Sequence, residues 1–445
     1  MRLGRMWRRV RSLSERPHHL LAISDLHLGC DLRPGNRLER PRPTDAPLAS
    51  FLEYHATHRE GGKPWRLILN GDIVDFVAIT LVPKEVVPFE ISPEERSLGL
   101  APTEAKCVWK LRRTAERHPA VFDALARFIQ KGNSVHIIRG NHDSEWRWPA
   151  VQEEFRRILA ERSGCPRRRV DRRVDFHDWF YLEPGFFYAE HGHAHDPYSV
   201  QTDFFSAHND DSEIELPLSS KVLRYFVNRY TEQVEVADDV DAWGVKEYLD
   251  WVLKAGNPLR VAADYFVMVF RVLYPIFRQS LKISRAFARA AGKALAPAVD
   301  RDAHVRQILS RFEGTDKQAK QLAEIASRPA EQSLFDSMQL FYIDRMLNVG
   351  GVVAFDDANW PAIRKLCRFV NNNLSYSLLR VVAEGPEPST IGRKLGRTLS
   401  AIPMVREGLR PEVLHPDRQT GLVGSCMAFR KIADDRRRWD HFVDF

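Results

Sequence analysis

Residues 134–143 read Ser-Val-His-Ile-Ile-Arg-Gly-Asn-His-Asp. Ser134 to Ile138 is a short apolar run with the length of a buried strand, and it stops at Arg139-Gly140-Asn141-His142-Asp143. Just before it, Ala120 to Gln130 has helical spacing and ends at the stop signal Lys131-Gly132-Asn133. Outward from this segment, three others repeat its design. Ile23-Ser24-Asp25-Leu26-His27 closes the apolar run His19 to Ser24. Leu69-Asn70-Gly71-Asp72-Ile73-Val74-Asp75 closes the run Arg66 to Asn70. Glu190-His191-Gly192-His193 ends the last apolar stretch of the series, in which Val174 to Leu182, Glu183-Pro184-Gly185 and Phe186 to Glu190 form a hairpin pattern. With a helix over Ala49 to His58, the alternation of strand and helix predicts an α/β fold.

The four segments place carboxylates, an amide oxygen and imidazoles at strand ends, which in open α/β sheets converge on one rim. That mixed donor set suits manganese, iron, zinc or a similar divalent ion. The neighbouring glycines let the backbone turn sharply and approach an ion or a phosphate. A lone Asp-x-His or Gly-Asp is weak evidence; the ordered set of four is strong.

The set resembles the calcineurin-like metallophosphoesterase superfamily, whose motifs run DxH, GD, GNH[DE], HG with D or H, then GHxH. ISDLHLG, LILNGDIVDF, IIRGNHDSEW and AEHGHAHDP are most similar to bacterial members akin to UDP-2,3-diacylglucosamine hydrolase. The resemblance covers Leu20 to about Tyr198 well and the C-terminal strands weakly. It implies a sandwich of two mixed β-sheets flanked by helices. It also implies two divalent metal ions, manganese first, with iron, zinc or magnesium as alternatives. By motif position, Asp25 and His27 would hold the first metal, Asp72 would bridge, and Asn141 and His191 would hold the second. His142 would serve the substrate phosphate as general acid or donor, Asp143 would orient it, and Arg139 would add positive charge or be a surface arginine. Two cations clamp the attacking and leaving oxygens of an in-line displacement, and a metal-bound hydroxide forms near neutral pH. A histidine can protonate the departing alkoxide. The expected activity is therefore hydrolysis of a phosphomonoester, phosphodiester or pyrophosphate bond.

The last motif departs from the family. After the apolar run Leu378 to Val382 the chain reads Ala383-Glu384-Gly385-Pro386-Glu387-Pro388, with prolines at both histidine positions. Either the motif lies elsewhere or two ligands are missing. His193 and His195, in a literal Gly192-His193-Ala194-His195, are candidate substitutes, or else loop histidines. Asp75 and Asp196 are expected to brace histidines or turns.

The organisation read from the sequence is a basic segment over 1–18, a phosphoesterase domain over 19–203, a large mainly helical insertion or cap over 204–376, and the rest of the domain over 377–445. Thr420 to Phe429 is expected as a final strand. Within the insertion, Val261 to Phe277 is apolar but too interrupted for a membrane span. Arg278, Lys282, Arg285, Arg289 and Lys293 then share one helix face. This is either a core helix followed by a solvated one or a basic amphipathic element that docks on a membrane or lipid-like substrate. The N-terminal Leu3, Met6, Trp7, Val10 and Leu13 recur at helical spacing among arginines, as either a frayed, solvated basic terminus or a short amphipathic helix lying on an anionic membrane.

The formal net charge of the 445 residues is +7, which favours anionic partners. Five scattered cysteines without a CxxC pair argue against a disulfide framework and for a reducing compartment. No secretory signal is apparent, so the expected location is cytoplasmic, with peripheral contact to the inner membrane face as an option. The expected partner is a phosphorylated small molecule or a lipid-linked nucleotide, with nucleic acid disfavoured. Oligomeric state is not legible. Besides the active hydrolase, two readings compete: an impaired phosphoesterase-like protein that binds a phosphorylated ligand or partner, and a membrane-surface interaction protein.

Overall fold

The computed structural model describes residues 17–36, 38–196, 199–200, 213–214, 216–229, 343–356, 358, 361–382, 422 and 424–434, with isolated positions between 260 and 340. The basic N-terminus, the apolar and basic helix patterns of 261–293 and the residues Ala383 to Pro388 lie outside the described residues.

Two sheets stack face to face. The first has order β1-β2-β3-β4 and is parallel throughout: β1 (His19–Ile23), β2 (Trp65–Asn70), β3 (Ser134–Ile138) and β4 (Val174–His177). The second is mixed, with order β5-β6-β7-β9-β8: β5 (Phe180–Glu183), β6 (Gly185–Glu190), β7 (Leu347–Phe355), β8 (Tyr376–Val382) and β9 (Cys426–Lys431). The stretch Val174 to Leu182, expected as one arm of a hairpin, divides at Asp178-Trp179. Its first half completes the parallel sheet and its second half opens the other sheet as the true hairpin arm.

Alternation along each strand builds three apolar layers. Leu67, Leu69, Val135 and Ile137 face outward against α1 (Asp45–Thr57), α3 (Glu104–Arg117), α4 (Pro119–Gln130) and α5 (Pro149–Ser163). The two short helices of this half are α2 (Pro93–Leu98) and α6 (Arg167–Asp171). Ile68 and Ile138 face inward against Tyr181, Phe187 and Ala189 of the second sheet. Tyr188, Val353 and Phe355 face the far side, where α8 (Pro361–Asn373) covers them with Ile363, Leu366 and Phe369. A further helix, α7 (Leu218–Tyr225), begins the region after the hairpin.

One sequence expectation is corrected here. The stretch 204–376 was expected to be mainly helical, yet it contains β7, which pairs parallel to β6 and antiparallel to β9 in the middle of the second sheet. The run Leu347-Asn-Val-Gly-Gly-Val-Val-Ala-Phe355 is β-branched and apolar on both faces, as a strand buried between two neighbours requires. The sheet therefore resumes by Leu347 rather than at Ser377. Strand β8 is the edge, separated from β7 by β9.

Strand register sets the rim. Ile23 pairs with Leu69, Asn70 with Ile138, and Glu190 with Phe355. The loops after β1, β2 and β3, and those after β6 and β7, thus leave the sandwich at one end. Among the described residues no helix is long and apolar enough to cross a membrane, and none of the five cysteines forms a disulfide.

Lys431 pins the second sheet. Its buried ammonium donates to the carbonyls of Asp344 (2.6 Å) and Leu347 (3.0 Å) and sits 3.1 Å from Asp344 Oδ1. Replacing a buried charge's partner leaves the carboxylate uncompensated, at about 3–5 kcal/mol. Lys431→Met is therefore expected to lower the unfolding free energy by about that amount, read from the midpoint of urea denaturation.

Candidate metal centre

The loops after β1 and β2 are held in strained shapes at the rim. Among the described residues, the only non-glycine residues with left-handed backbone are Asp25 (φ 51°), His27 (φ 43°) and Asp72 (φ 53°). Such backbone costs about 1–3 kcal/mol per residue and persists only where surroundings over-determine it. Here the loops after β1 and β2 zip together. His27 N donates to Asp72 O (2.9 Å), Leu28 N to Ile73 O (2.9 Å) and Asp75 N to Leu28 O (3.0 Å).

Two glycines are required by close approach. A Cβ on Gly140 would overlap Asp72 Oδ1 and the Asp72 backbone nitrogen. Gly71, at φ 84°, lies so near His191 that a Cβ would overlap the imidazole.

At the centre is Asp72, almost fully buried. Its Oδ1 accepts from the backbone N–H of His142 (2.8 Å), and its Oδ2 lies 3.3 Å from His191 Nε2. His191 Nε2 also faces Asn141 Oδ1 at 3.1 Å, while its Nδ1 lies 3.0 Å from Asn70 O. A carbonyl can only accept, so Nδ1 carries a proton, and Nε2 is the atom turned towards two oxygens. Two oxygens converging on that nitrogen call for a proton or a metal cation between them. The donor set therefore fits a divalent ion.

The ligand atoms fall into two groups, each within 4.8 Å: His27, Asp72 and His142, and Asp25, His191 and Asp356. Burial opposes ionisation of Asp72, yet the positive charge of His191 and His142 holds its carboxyl well below the usual range. Asp25 and His27 are neighbours as expected, with Oδ1 and Nε2 3.8 Å apart.

Asp75 braces two histidines, as a second carboxylate behind a site should. Its Oδ2 is 3.2 Å from His27 Nδ1 and its Oδ1 is 3.2 Å from His142 Nδ1. The outer Nε2 atoms of both rings are thereby left for the rim. Burial opposes the charge on Asp75 as well, but His142 and His27 keep its carboxyl well below the ordinary value.

Asp143, expected to orient His142, is placed differently. Its carboxylate accepts from Gly140 N (2.6 Å), Ile73 N (2.7 Å) and Trp146 Nε1 (2.8 Å), tying the loop after β3 to the loop after β2. Burial, then the nearby Asp72, pushes its carboxyl up to about 6. The residue that touches His142 is Asp75. Arg139 is buried rather than a surface arginine, and it lies close enough to His193 to disfavour protonation there.

Neither His193 nor His195 enters the two ligand groups among the described residues. His195 Nε2 is 3.0 Å from Glu190 Oε1, whose other oxygen accepts from Trp179 Nε1 (3.1 Å). His193 is buried, its ring 5.4 Å from that of His191, and burial followed by the charge of His191 keeps it neutral. Asp196 caps a turn, its carbonyl accepting from Ser199 N and Val200 N.

Asp356 was missed from the sequence. It follows Phe355 at the end of β7, the first described strand after β6. Its Oδ2 lies 3.8 Å from His191 Nδ1 and accepts from Asn70 Nδ2 at 3.5 Å. The signal was present: Val352-Val353-Ala354-Phe355-Asp356 is another apolar strand with a ligand at its end. The position sought for that motif, after Val382, lies beyond the edge strand β8.

Gly140→Ala should leave the far-ultraviolet circular dichroism intact and lower metal affinity by about ten- to a hundredfold, measured by equilibrium dialysis with manganese. Asp356→Ala should lower the bound ion count per chain by inductively coupled plasma spectrometry, while a substitution at exposed Glu60 leaves it unchanged.

A family model described as calcineurin-like phosphoesterase matches residues 18–244, from β1 through the fourth motif and past α7. Neither the curated proteins nor the solved structures yield a significant match. Asp25, His27, Asp72, Asn141, His142 and His191 all fall inside the matched region, and Asp356 joins them from outside it. The chain belongs to the calcineurin-like phosphoesterase family and carries that family's metal-dependent phosphoesterase domain.

Proposed function

We propose that the protein hydrolyses a phosphomonoester, phosphodiester or pyrophosphate bond with two divalent ions, manganese first, held by Asp25, His27, Asp72, Asn141, His191 and Asp356. The observation that carries this reading is the convergence of His191 Nε2, Asn141 Oδ1 and Asp72 Oδ2 within 3.3 Å, on a backbone strained at three ligand positions. When bound, such ions supply Lewis acidity and a nucleophilic water at neutral pH.

The chain's own residues do the rest. Asp72 offers one oxygen towards His191 and fixes the loop of His142 with the other, so the acid and the metal ligands are set by one carboxylate. Asp75 anchors Nδ1 of His142, which leaves Nε2 to hold a proton for the leaving oxygen. The partly exposed side chain of His142 can meet a substrate, whereas His191 beneath it is sealed. Buried Arg139 adds fixed positive charge below the rim, where a transferring phosphoryl group needs neutralisation.

For the substrate class, the wording of the motifs and the apolar and basic runs of 261–293 support a lipid-linked nucleotide reached at a membrane face. Asp356 supports an active hydrolase over an impaired binding module, because it offers a ligand where the sequence pattern left a gap.

With added manganese, the full chain should cleave p-nitrophenyl phosphate esters, and Asp72→Asn should abolish both cleavage and metal retention. His142→Ala should keep its metal and lose about 10²–10⁴-fold in kcat. A metal-free wild-type chain whose Asp72→Asn variant behaves identically would defeat the enzyme reading. Loss of metal in His142→Ala would instead make that histidine a ligand. A nucleotide diphosphate lipid analogue cleaved no faster than the p-nitrophenyl esters would remove the lipid-linked substrate.

A further inference from the structure

At the end of the parallel sheet opposite the metal rim, the strand beginnings frame a groove of about 650 Å³. Pro64-Trp65 opens β2, Ser134 opens β3 and Arg173 precedes β4 along its wall. Five guanidinium groups line it: Arg66, Arg168, Arg169, Arg172 and Arg173. Strands of five or six residues at about 3.3 Å each put it roughly 17–20 Å from the rim.

The clustering of these arginines without an acid sets them apart. Several arginines elsewhere on the domain pair with acids, Arg112 with Glu154 (2.7 Å), Arg117 with Asp31 (2.6 Å) and Arg167 with Asp171 (2.6 Å), while others such as Arg224 bond singly to carbonyls. In the groove the partners are neutral oxygens. Arg66 donates to Tyr181 OH (2.7 Å), Arg169 to Gln130 O (3.2 Å), Arg172 to Arg168 O (3.2 Å), and Arg173 to Gly132 O and Asn133 O. Among the described residues none of the five pairs with a carboxylate. Two acids of the neighbouring segments are engaged by other side chains, Asp171 by Arg167 and Glu183 by His18 (3.0 Å). Carbonyl bonds hold Arg169, Arg172 and Arg173 in place, and the Tyr181 hydroxyl holds Arg66, without neutralising their charge. Burial, then the like charges of Arg169, Arg172 and Arg59, lowers the pKa of Arg173.

We propose that this groove is a second binding site, separate from the metal centre, for a small ligand carrying two or more phosphate groups. Guanidinium forks match phosphate oxygens bidentately. Several clustered cations, held apart at a cost and lacking acids, call for a multiply charged anion rather than a single carboxylate. The concavity and volume are those of a small-molecule site, within the usual range of about 300–1,000 Å³. A flat anionic bilayer would not fill it.

The test is isothermal titration of the full chain with sodium tripolyphosphate, at low salt and without added metal. Wild type is compared with Arg169→Ala/Arg172→Ala, two exposed positions, and with Asp72→Asn. The expected result is one saturable site, weakened about tenfold or more in the arginine pair and unchanged in Asp72→Asn. The arginine pair should cleave p-nitrophenyl esters as wild type does. A nucleoside triphosphate that binds like tripolyphosphate assigns recognition to the phosphates alone; tighter binding adds a nucleoside contact, and both support the site. The proposal is overturned if the arginine pair binds as wild type, or if Asp72→Asn alone abolishes binding. It is equally overturned if tripolyphosphate gives no saturable heat while phosphatidylglycerol vesicles float wild type and not the arginine pair, which would make the groove a membrane contact.

Discussion

Everything at the rim depends on the buried carboxylate of Asp72 being held on left-handed backbone beside His191 Nε2, which the amide oxygen of Asn141 also faces, so that the three groups share a proton or a cation. Such an arrangement is unfavourable in isolation: burial penalises the charge, and φ of 53° penalises the backbone. The surrounding fold offsets both. Parallel strands deliver the loops to one place, the backbone of the β1 loop bonds to that of the β2 loop, and glycines at 71 and 140 leave the space that the carboxylate and the imidazole occupy. Cations shared by these groups would relieve the remaining conflict, which is why the same atoms make a candidate metal centre.

Two other carboxylates divide the supporting work. Asp143 faces inward and binds backbone N–H groups from two loops, so it sets the separation of the β2 and β3 loops. Asp75 faces the rim and fixes two imidazoles through their inner nitrogens. Both follow a ligand within three residues in the chain, yet one shapes the scaffold and the other orients the chemistry. The difference lies in whether the loop turns the side chain towards backbone donors or towards histidines, which no spacing rule encodes.

Much of this was legible in the sequence because the strands of a parallel sheet are short apolar runs, and their ends announce themselves by polar, glycine-flanked residues. Ser134–Ile138 matched its expected bounds, and β1 and β2 differed by one residue at an end. The helix over Ala49 to His58 was found but begins at Asp45, since the first turn lacks a side-chain capping bond that would mark it. What escaped was non-local. Leu347–Phe355 reads as a strand only once β6 and β9 are known to flank it, and within a long stretch of helical period its apolar run suggested helix. Asp356 was lost with it. The split of Val174 to Leu182 between two sheets was equally invisible, because a continuous apolar run does not reveal where the chain changes partners. His193 and His195 looked like substitutes by type alone; the close approach of Glu190 to His195 could not be read from spacing.

The most direct measurement is anomalous diffraction from crystals of the full chain grown with manganese. The account predicts two peaks flanking the Asp72 carboxylate, one beside Asp25 and His27 and the other beside Asn141 and His191, with Asp356 on the same rim. Absence of any peak within coordination distance of Asp72, with His191 Nε2 bonded directly to its carboxylate in the presence of the metal, would contradict it.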